Sequence, residues 1–324
     1  MHQVEHSRCH RWAAVLAGGD GQRLQSFTRR VAGDDRPKQF CALVGGQTLL
    51  HQTLLRTGRH APLRRTLLVL TKTHKPFYSQ QLPGVPHSRL IIQPDNRGTA
   101  PAILYTLVRL QHLDAQAVVA FFPSDHYFSD DAVFHDHMKI AFHAAESHPR
   151  AVVLLGAAAG TPESGYGWIE PGAVVANRGS APLRRITGFW EKPSPTIASA
   201  LMDRGCLWNT FVMAGRVNAF LNVIRQALPR LFGAFQAIRP ALFSGAERRA
   251  ISELYSSTSS IGFCKEVLSR RPQDLVVLCG AGMGWTDLGE PSRLSSVLER
   301  KGITSERPFS NAEEWRTTFG AAAR

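Results

Sequence analysis

Short apolar runs alternate along the chain with longer stretches whose apolar residues recur at helical spacing. The runs predict strands at 12–16, 66–71, 89–92, 117–122, 151–156, 165–170, 185–190, 210–214 and 275–279. The periodic stretches predict helices at 48–59, 99–112, 131–146, 195–204, 216–227, 246–255 and 290–300. Alternation of this kind predicts the α/β class, with a Rossmann-like, mostly parallel mixed sheet flanked by helices. Ligands of such sheets sit outside the carboxyl ends of the strands. No internal repeat or low-complexity linker divides the chain, so 1–295 is expected to form one domain and 296–324 a short tail.

The most continuous apolar stretches, AVVAFFP (117–123) and AVVLLGAAAG (151–160), fall short of the roughly 18 residues a membrane helix needs. The opening MHQVEHSRCHRW lacks the apolar core of a signal peptide. Cysteines at 9, 41, 206, 264 and 279 are odd in number, with no CxxC pair, so reduced thiols, a cytoplasmic setting and no zinc site are expected. A net charge of +13 raises the question of nucleic acid. The arginines, however, are spread from end to end, often as pairs, and no nucleic-acid-binding motif accompanies them. Unpatterned charge is a weak sign of such binding. A basic surface also suits small anionic substrates, and those are the expected partners.

The candidate chemistry starts where the first strand breaks, in AVLAGGDGQRLQSFTRRVAGDDRPKQF (14–40). Gly18, Gly19 and Gly21 carry no side chains, so their amides can approach phosphate oxygens closely. No GK[ST] follows, which excludes a Walker loop. Neither G-x-G-x-x-G nor an acidic end to the second strand is present, which excludes a dinucleotide fingerprint. Arg23 follows the loop at once, and Lys38 follows Pro37. In a chain that favours Arg over Lys, PKQF and EKP each keep a lysine, whose compact ammonium suits a point contact to phosphate. Asp125 ends an apolar run and Asp287 follows the last one. Each alone also reads as a helix cap or turn; two at strand ends of one sheet can converge on Mg²⁺. His126 reads as a structural neighbour and not a ligand.

In order and spacing, these segments resemble the sugar-nucleotide pyrophosphorylases, with their L-A-G-G-x-G-T-R-L and P-K-Q-F signatures, and most of all the mannose-1-phosphate guanylyltransferase branch. The resemblance runs on through QPDNRGTAPAI (93–103), PSDHYFSD (123–130), TPESGYGWIEPG (161–172), FWEKPS (189–194), LWNTFVM (207–213) and GWTDLGE (284–290). It implies a glycosyltransferase-A-like nucleotidyltransferase fold. It also implies transfer of a nucleoside monophosphate from a triphosphate, expected to be GTP, to a hexose 1-phosphate, expected to be mannose 1-phosphate.

The family pattern assigns catalysis to Arg23, Lys38, Asp125 and Lys192, with Mg²⁺ on Asp125 and Asp287. Nucleotide binding falls to Leu16, Ala17, Gly18, Gly19, Gly21, Arg23, Asn96, Arg97 and Thr99, and the helix start around Pro101 should offer free amides to the crevice. Sugar binding falls to Gly165, Gly167, Glu191, Lys192 and Asn209. Glu191 would accept from vicinal hydroxyls, Lys192 would meet the sugar phosphate, and Tyr166 or Trp168 would pack on the pyranose.

Four features depart from the pattern. Gln22 replaces a Thr, Phe211 a Gly and Gly262 an acidic residue, and the segment Arg29 to Arg36 is longer. No cupin-like or β-helix domain is expected, and a homodimer is left open. Another base or hexose, or a sugar-nucleotide-binding regulatory paralogue without turnover, are the alternatives.

Overall fold

The computed structural model describes residues 10–178 and 181–303. Its strands are β1 (Arg11–Leu16), β2 (Thr66–Thr71), β3 (Leu90–Gln93), β4 (Val118–Pro123), β5 (Tyr127–Phe128), β6 (Val152–Ala158), β7 (Gly167–Arg178), β8 (Ala181–Glu191), β9 (Leu207–Arg216), β10 (Leu275–Gly280) and β11 (Trp285–Thr286). Among the described residues, nine of them form one sheet in the order β3-β2-β1-β4-β9-β6-β10-β8-β7, and β5 pairs with β11. Only β8 and β9 run against the other seven. The expected mixed, mostly parallel sheet is the one observed.

The central strands read as unbroken apolar runs because helices bury both faces. Every residue of β2 and β4 is buried. Alternation along β1 sends Trp12 and Ala14 into one apolar cluster, with residues of helices Thr99–Leu113, Val217–Ala227 and Glu247–Ser257. Ala13 faces the opposite cluster, with Phe134, Met138 and Phe142 of helix Asp131–Ser147. No helix of the described residues is long and apolar enough to cross a membrane.

Several features depart from the sequence pattern; helices Lys75–Gln81 and Pro229–Ala237 and the short strands β5 and β11 have no expected counterpart. The strand expected at 165–170 continues to Arg178, because register shifts after Glu170 and Pro171 carry the hairpin past Pro171 and Gly172. Helix Gln25–Ala32, in the long segment after the glycine loop, has no counterpart among the expected helices, since it is mostly polar and buries only Thr28 fully. The boundary expected after residue 295 falls inside helix Pro291–Arg300, whose Leu294, Val297 and Leu298 pack against Leu24, Leu43 and Leu49. The rest of the expected tail, 304–324, lies outside the described residues.

Two local pairings bring the site together. Leu16 lies opposite Pro123, so β1 and β4 end side by side, and Ser124 donates to the Leu16 carbonyl through both its amide (3.1 Å) and its hydroxyl (2.8 Å). The β5–β11 ladder pairs Tyr127 with Thr286. One step further along that register, the segment after β11 meets the segment after β4, so Asp287 comes near Asp125 and His126.

Candidate active site

The chain leaves β1 through Ala17, which is fully buried and donates to Val69 O at 2.8 Å. Gly18 is held between Thr71 and Gln93: a Cβ there would lie 2.8 Å from Thr71 Oγ1 and from Gln93 Nε2. Gly19 is exposed, with open space where a side chain would be. Gly21 adopts φ +62°, a left-handed conformation that a side chain disfavours. Its α-carbon faces the second motif, and a Cβ would lie 3.2 Å from the Lys38 amide. Buried Gln39 ties the two segments, donating to Ala17 O (3.2 Å) and Gly19 O (2.7 Å).

Lys38 is 6% exposed, and its ammonium is the hub of the site. Nζ lies 3.2 Å from Asp125 Oδ2 and donates to the carbonyls of Asp287 (2.5 Å) and Leu288 (3.1 Å). Gly21, Arg23, Lys38 and Asp125 line one cleft of about 370 Å³, together with Leu288 and Gly289. Arg23 is exposed, and its ion-pair contact is loose, 3.8 Å to Glu290. His126 sits behind Asp125, 3.8 Å from Oδ1, and accepts from Trp285 Nε1 at 3.2 Å. Burial pulls its pKa down against the attraction of Asp125 and Asp287. Asp287 Oδ1 accepts from the Gly289 amide (2.7 Å) and from Arg293 Nη1 (2.8 Å).

The residues expected at the sugar end also converge. Gly167 starts β7, opposite Glu191 at the end of β8, and a Cβ on Gly167 would lie 3.0 Å from Glu191 Oε2 and 3.3 Å from Asn209 Cβ. Lys192 follows with φ +51°, its amide donating to Tyr166 O (3.1 Å) and its ammonium 3.6 Å from Glu191 Oε1. Asn209 is buried, accepts from the Phe211 amide (3.1 Å) and donates to Cys264 Sγ (3.4 Å). Gly165 packs against Arg293, whose Nη2 would be 2.7 Å from a Cβ there.

Two expectations fail here. Neither Tyr166 nor Trp168 presents a ring to a sugar. Trp168 is fully buried beside Ala198 and Leu201, and Tyr166 lies in the core with its hydroxyl on Thr286 Oγ1 (3.2 Å). The helix start after DNRG offers fewer free amides than expected. Ala100 donates to Ile261 O (3.0 Å), Gly98 to Asn96 Oδ1 (3.0 Å), and Pro101 has no N–H. The Thr99 hydroxyl accepts from the Phe263 amide (2.8 Å), and Arg97 turns toward Asp95 (3.6 Å). Asn96 does reach the glycine loop, donating to Asp20 Oδ2 at 2.9 Å.

The model of the family described as "Nucleotidyl transferase" matches residues 12–301. The chain belongs to the nucleotidyl transferase family. It is 31% identical over 299 residues to the xanthan biosynthesis protein XanB of Xanthomonas campestris pv. campestris (strain B100), covering 89% of this chain and 59% of that one. It is 27% identical over 293 residues to a mannose-1-phosphate guanylyltransferase of Escherichia coli, covering 89% and 60%. The chain thus spans about three fifths of the length of these curated relatives. A crystal structure from Thermus thermophilus, described as a mannose-1-phosphate geranyltransferase, superposes with a TM-score of 0.76 at 29% identity, covering 93% of this chain and 81% of that one.

In this nucleotidyl transferase one site residue, Arg293, carries no signal in the motifs. Arg293 joins Asp287 to Glu163 (2.8 Å) and stacks its guanidinium 4.1 Å from the Tyr166 ring centre. Burial, the largest influence on Asp287, pushes its pKa up, yet His126, Lys38 and Arg293 together hold it below the ordinary carboxylate value. A folded-state value below the unfolded one stabilises the protein above about pH 4, and the contribution is lost as pH falls through the lower value. Arg293→Met removes one of those cations. It is expected to shrink the stability lost between about pH 5 and pH 3 by ~1 kcal/mol, read by urea denaturation. Equal acid losses in the two proteins would contradict this.

Proposed function

We propose that the chain transfers a nucleoside monophosphate, GMP from GTP, to a hexose 1-phosphate, mannose 1-phosphate, with release of pyrophosphate. The observation that carries this reading is the buried Lys38 ammonium. It joins Asp125 to the Asp287 segment inside a cleft that Gly21 and Arg23 also line. In such a reaction the sugar-phosphate oxygen attacks the α-phosphorus in line, and the bond to pyrophosphate breaks as the new P–O bond forms. No covalent protein intermediate is needed, so catalysis is positioning and charge stabilisation. Arg23, only loosely engaged by Glu290, is available to the departing pyrophosphate. Lys38 is fixed for the α-phosphate, and exposed Lys192 can meet the sugar phosphate beside Glu191.

Asp125 and Asp287 are the residues that would hold Mg²⁺. Two carboxylates beside one ammonium suit an ion that takes one or two carboxylates plus substrate phosphates. Both hydrogen bonds that the described residues make to the Asp287 carboxylate use Oδ1, and among them Oδ2 is left for a ligand. When bound, the ion supplies positive charge to the phosphate oxygens.

Phe211, held at φ +60° with its amide on Asn209, makes the hexose the variable to test. Pyrophosphate release is measured for GTP, ATP, UTP and dTTP against mannose, glucose and galactose 1-phosphates, with and without Mg²⁺. GTP with mannose 1-phosphate is expected to exceed the other pairs by at least ~10-fold in kcat/KM. Release from no pair would reject the enzyme reading and leave a chain that binds sugar nucleotides without turnover.

A further inference from the structure

A second cavity, of about 1010 Å³, lies on the outer side of β3 and shares no lining residue with the catalytic cleft. Its floor is apolar, built from Leu90 and Ile92 of β3 with Tyr78, Leu82 and Ile251. Its walls are cationic. Lys72 and Lys75 stand on one side, and Arg248 and Arg249 open the helix Glu247–Ser257 on the other.

Among the described residues, Glu247 is the only carboxylate in the lining, and its oxygens are already used. Oε1 accepts from Tyr105 (2.7 Å) and from Arg109, and Oε2 accepts from the Phe243 amide (2.7 Å). Arg249 is turned to Glu253 (2.7 Å). Lys72, Lys75 and Arg248 are exposed and have no carboxylate partner among the described residues. Arg109, 6% exposed, also lines the cavity, and its Nε finds no acceptor among the described residues.

We infer that this cavity is a binding site for a phosphorylated small molecule of nucleotide size, separate from the catalytic cleft. The size falls at the upper end of small-molecule pockets, and polar anchors around an apolar floor are their usual make-up. A phosphate between Lys72, Lys75 and Arg248 would answer the uncompensated charge, with help from the positive end of the helix. A flat apolar body would cover Leu90 and Ile92.

The site also has a route to the chemistry. His74, in the turn that carries Lys72 and Lys75, lies 3.1 Å from Asp20 Oδ1. Beyond the cavity floor, β3 runs through Pro94 to Asn96, which grips the other oxygen of Asp20. Asp20 lies between Gly19 and Gly21. One wall and the floor of the cavity therefore hold the same residue of the glycine loop, and an occupant touching that wall and the floor would act on it.

Pyridoxal 5′-phosphate tests this, since it combines a ring, a phosphate and an aldehyde. The aldehyde condenses with a lysine amine with loss of water, and borohydride reduces the imine to a stable secondary amine. The full chain is labelled with no other nucleotide or phosphate present, reduced, digested and mapped by mass spectrometry. Lys72 or Lys75 is expected to label at least ~5-fold faster than exposed Lys265 and Lys301, and tripolyphosphate and Arg248→Glu are each expected to remove the preference. Labelling of Lys72 and Lys75 no faster than Lys265, or a preference that survives Arg248→Glu, would overturn the inference. The readout needs no turnover, so it stands or falls apart from the proposed reaction.

Discussion

Lys38→Met is expected to lower nucleotidyl transfer by about a thousandfold, the loss typical of removing one preorganised group that meets developing charge. The ammonium is buried, is fixed by two carbonyls, and has Asp125 as its neighbouring counter-charge. Its removal leaves two carboxylates facing an incoming triphosphate with one cation fewer, so binding and the chemical step both suffer. Lys38→Arg is expected to recover little. The carbonyls of Asp287 and Leu288 and the carboxylate of Asp125 enclose a single ammonium, and a planar fork demands different partners. The variants are compared by steady-state pyrophosphate release, with thermal unfolding as a check on the fold. A rate within about threefold of the parent protein, a barrier change below ~1 kcal/mol, would remove Lys38 from the machinery.

The largest stability effect is expected at Gly98. Its φ of +81° and ψ of 179° belong to a region essentially restricted to glycine, where other residues cost about 1–3 kcal/mol. Space forbids a side chain as well, since a Cβ would lie 2.5 Å from the carbonyl oxygen of Ile261. That carbonyl is part of a strap: Ile261 donates to Arg97 O (3.0 Å), Ala100 donates to Ile261 O, and Phe263 donates to Thr99. Gly98→Ala must push the strap away and break these bonds, so a loss of about 3 kcal/mol is expected. Denaturant unfolding measures it. A change under ~0.5 kcal/mol would mean that the two segments can part freely.

Much of this is legible in the sequence, for physical reasons. Strands buried on both faces must be apolar throughout, so β1, β2, β4, β6 and β10 stand out as runs. The glycine loop is legible because close backbone approach removes side chains, and Lys38 because a lysine is unusual in so arginine-rich a chain. What stays hidden depends on contacts across the fold. Arg293 gains its role from partners 6 and 130 residues away. β5 and β11, two residues each, are too short for any periodicity, yet they bring the segment of Asp287 to that of Asp125. Trp168 reads as a sugar platform next to flexible glycines. Burial on the helix Pro195–Asp203 side of β7 takes it from the ligand instead. Thr99 reads as free at a helix start, and the strap from Ile261 to Phe263 claims its hydroxyl.

A crystal structure of the chain with a non-hydrolysable GTP analogue and Mg²⁺ is the most direct test. The triphosphate is expected in the cleft between the Gly21 backbone, Arg23 and Lys38, with the metal on Asp125 and Asp287. A triphosphate bound elsewhere, with Lys38 still closed on Asp125 and touching no phosphate oxygen, would contradict the proposed active site.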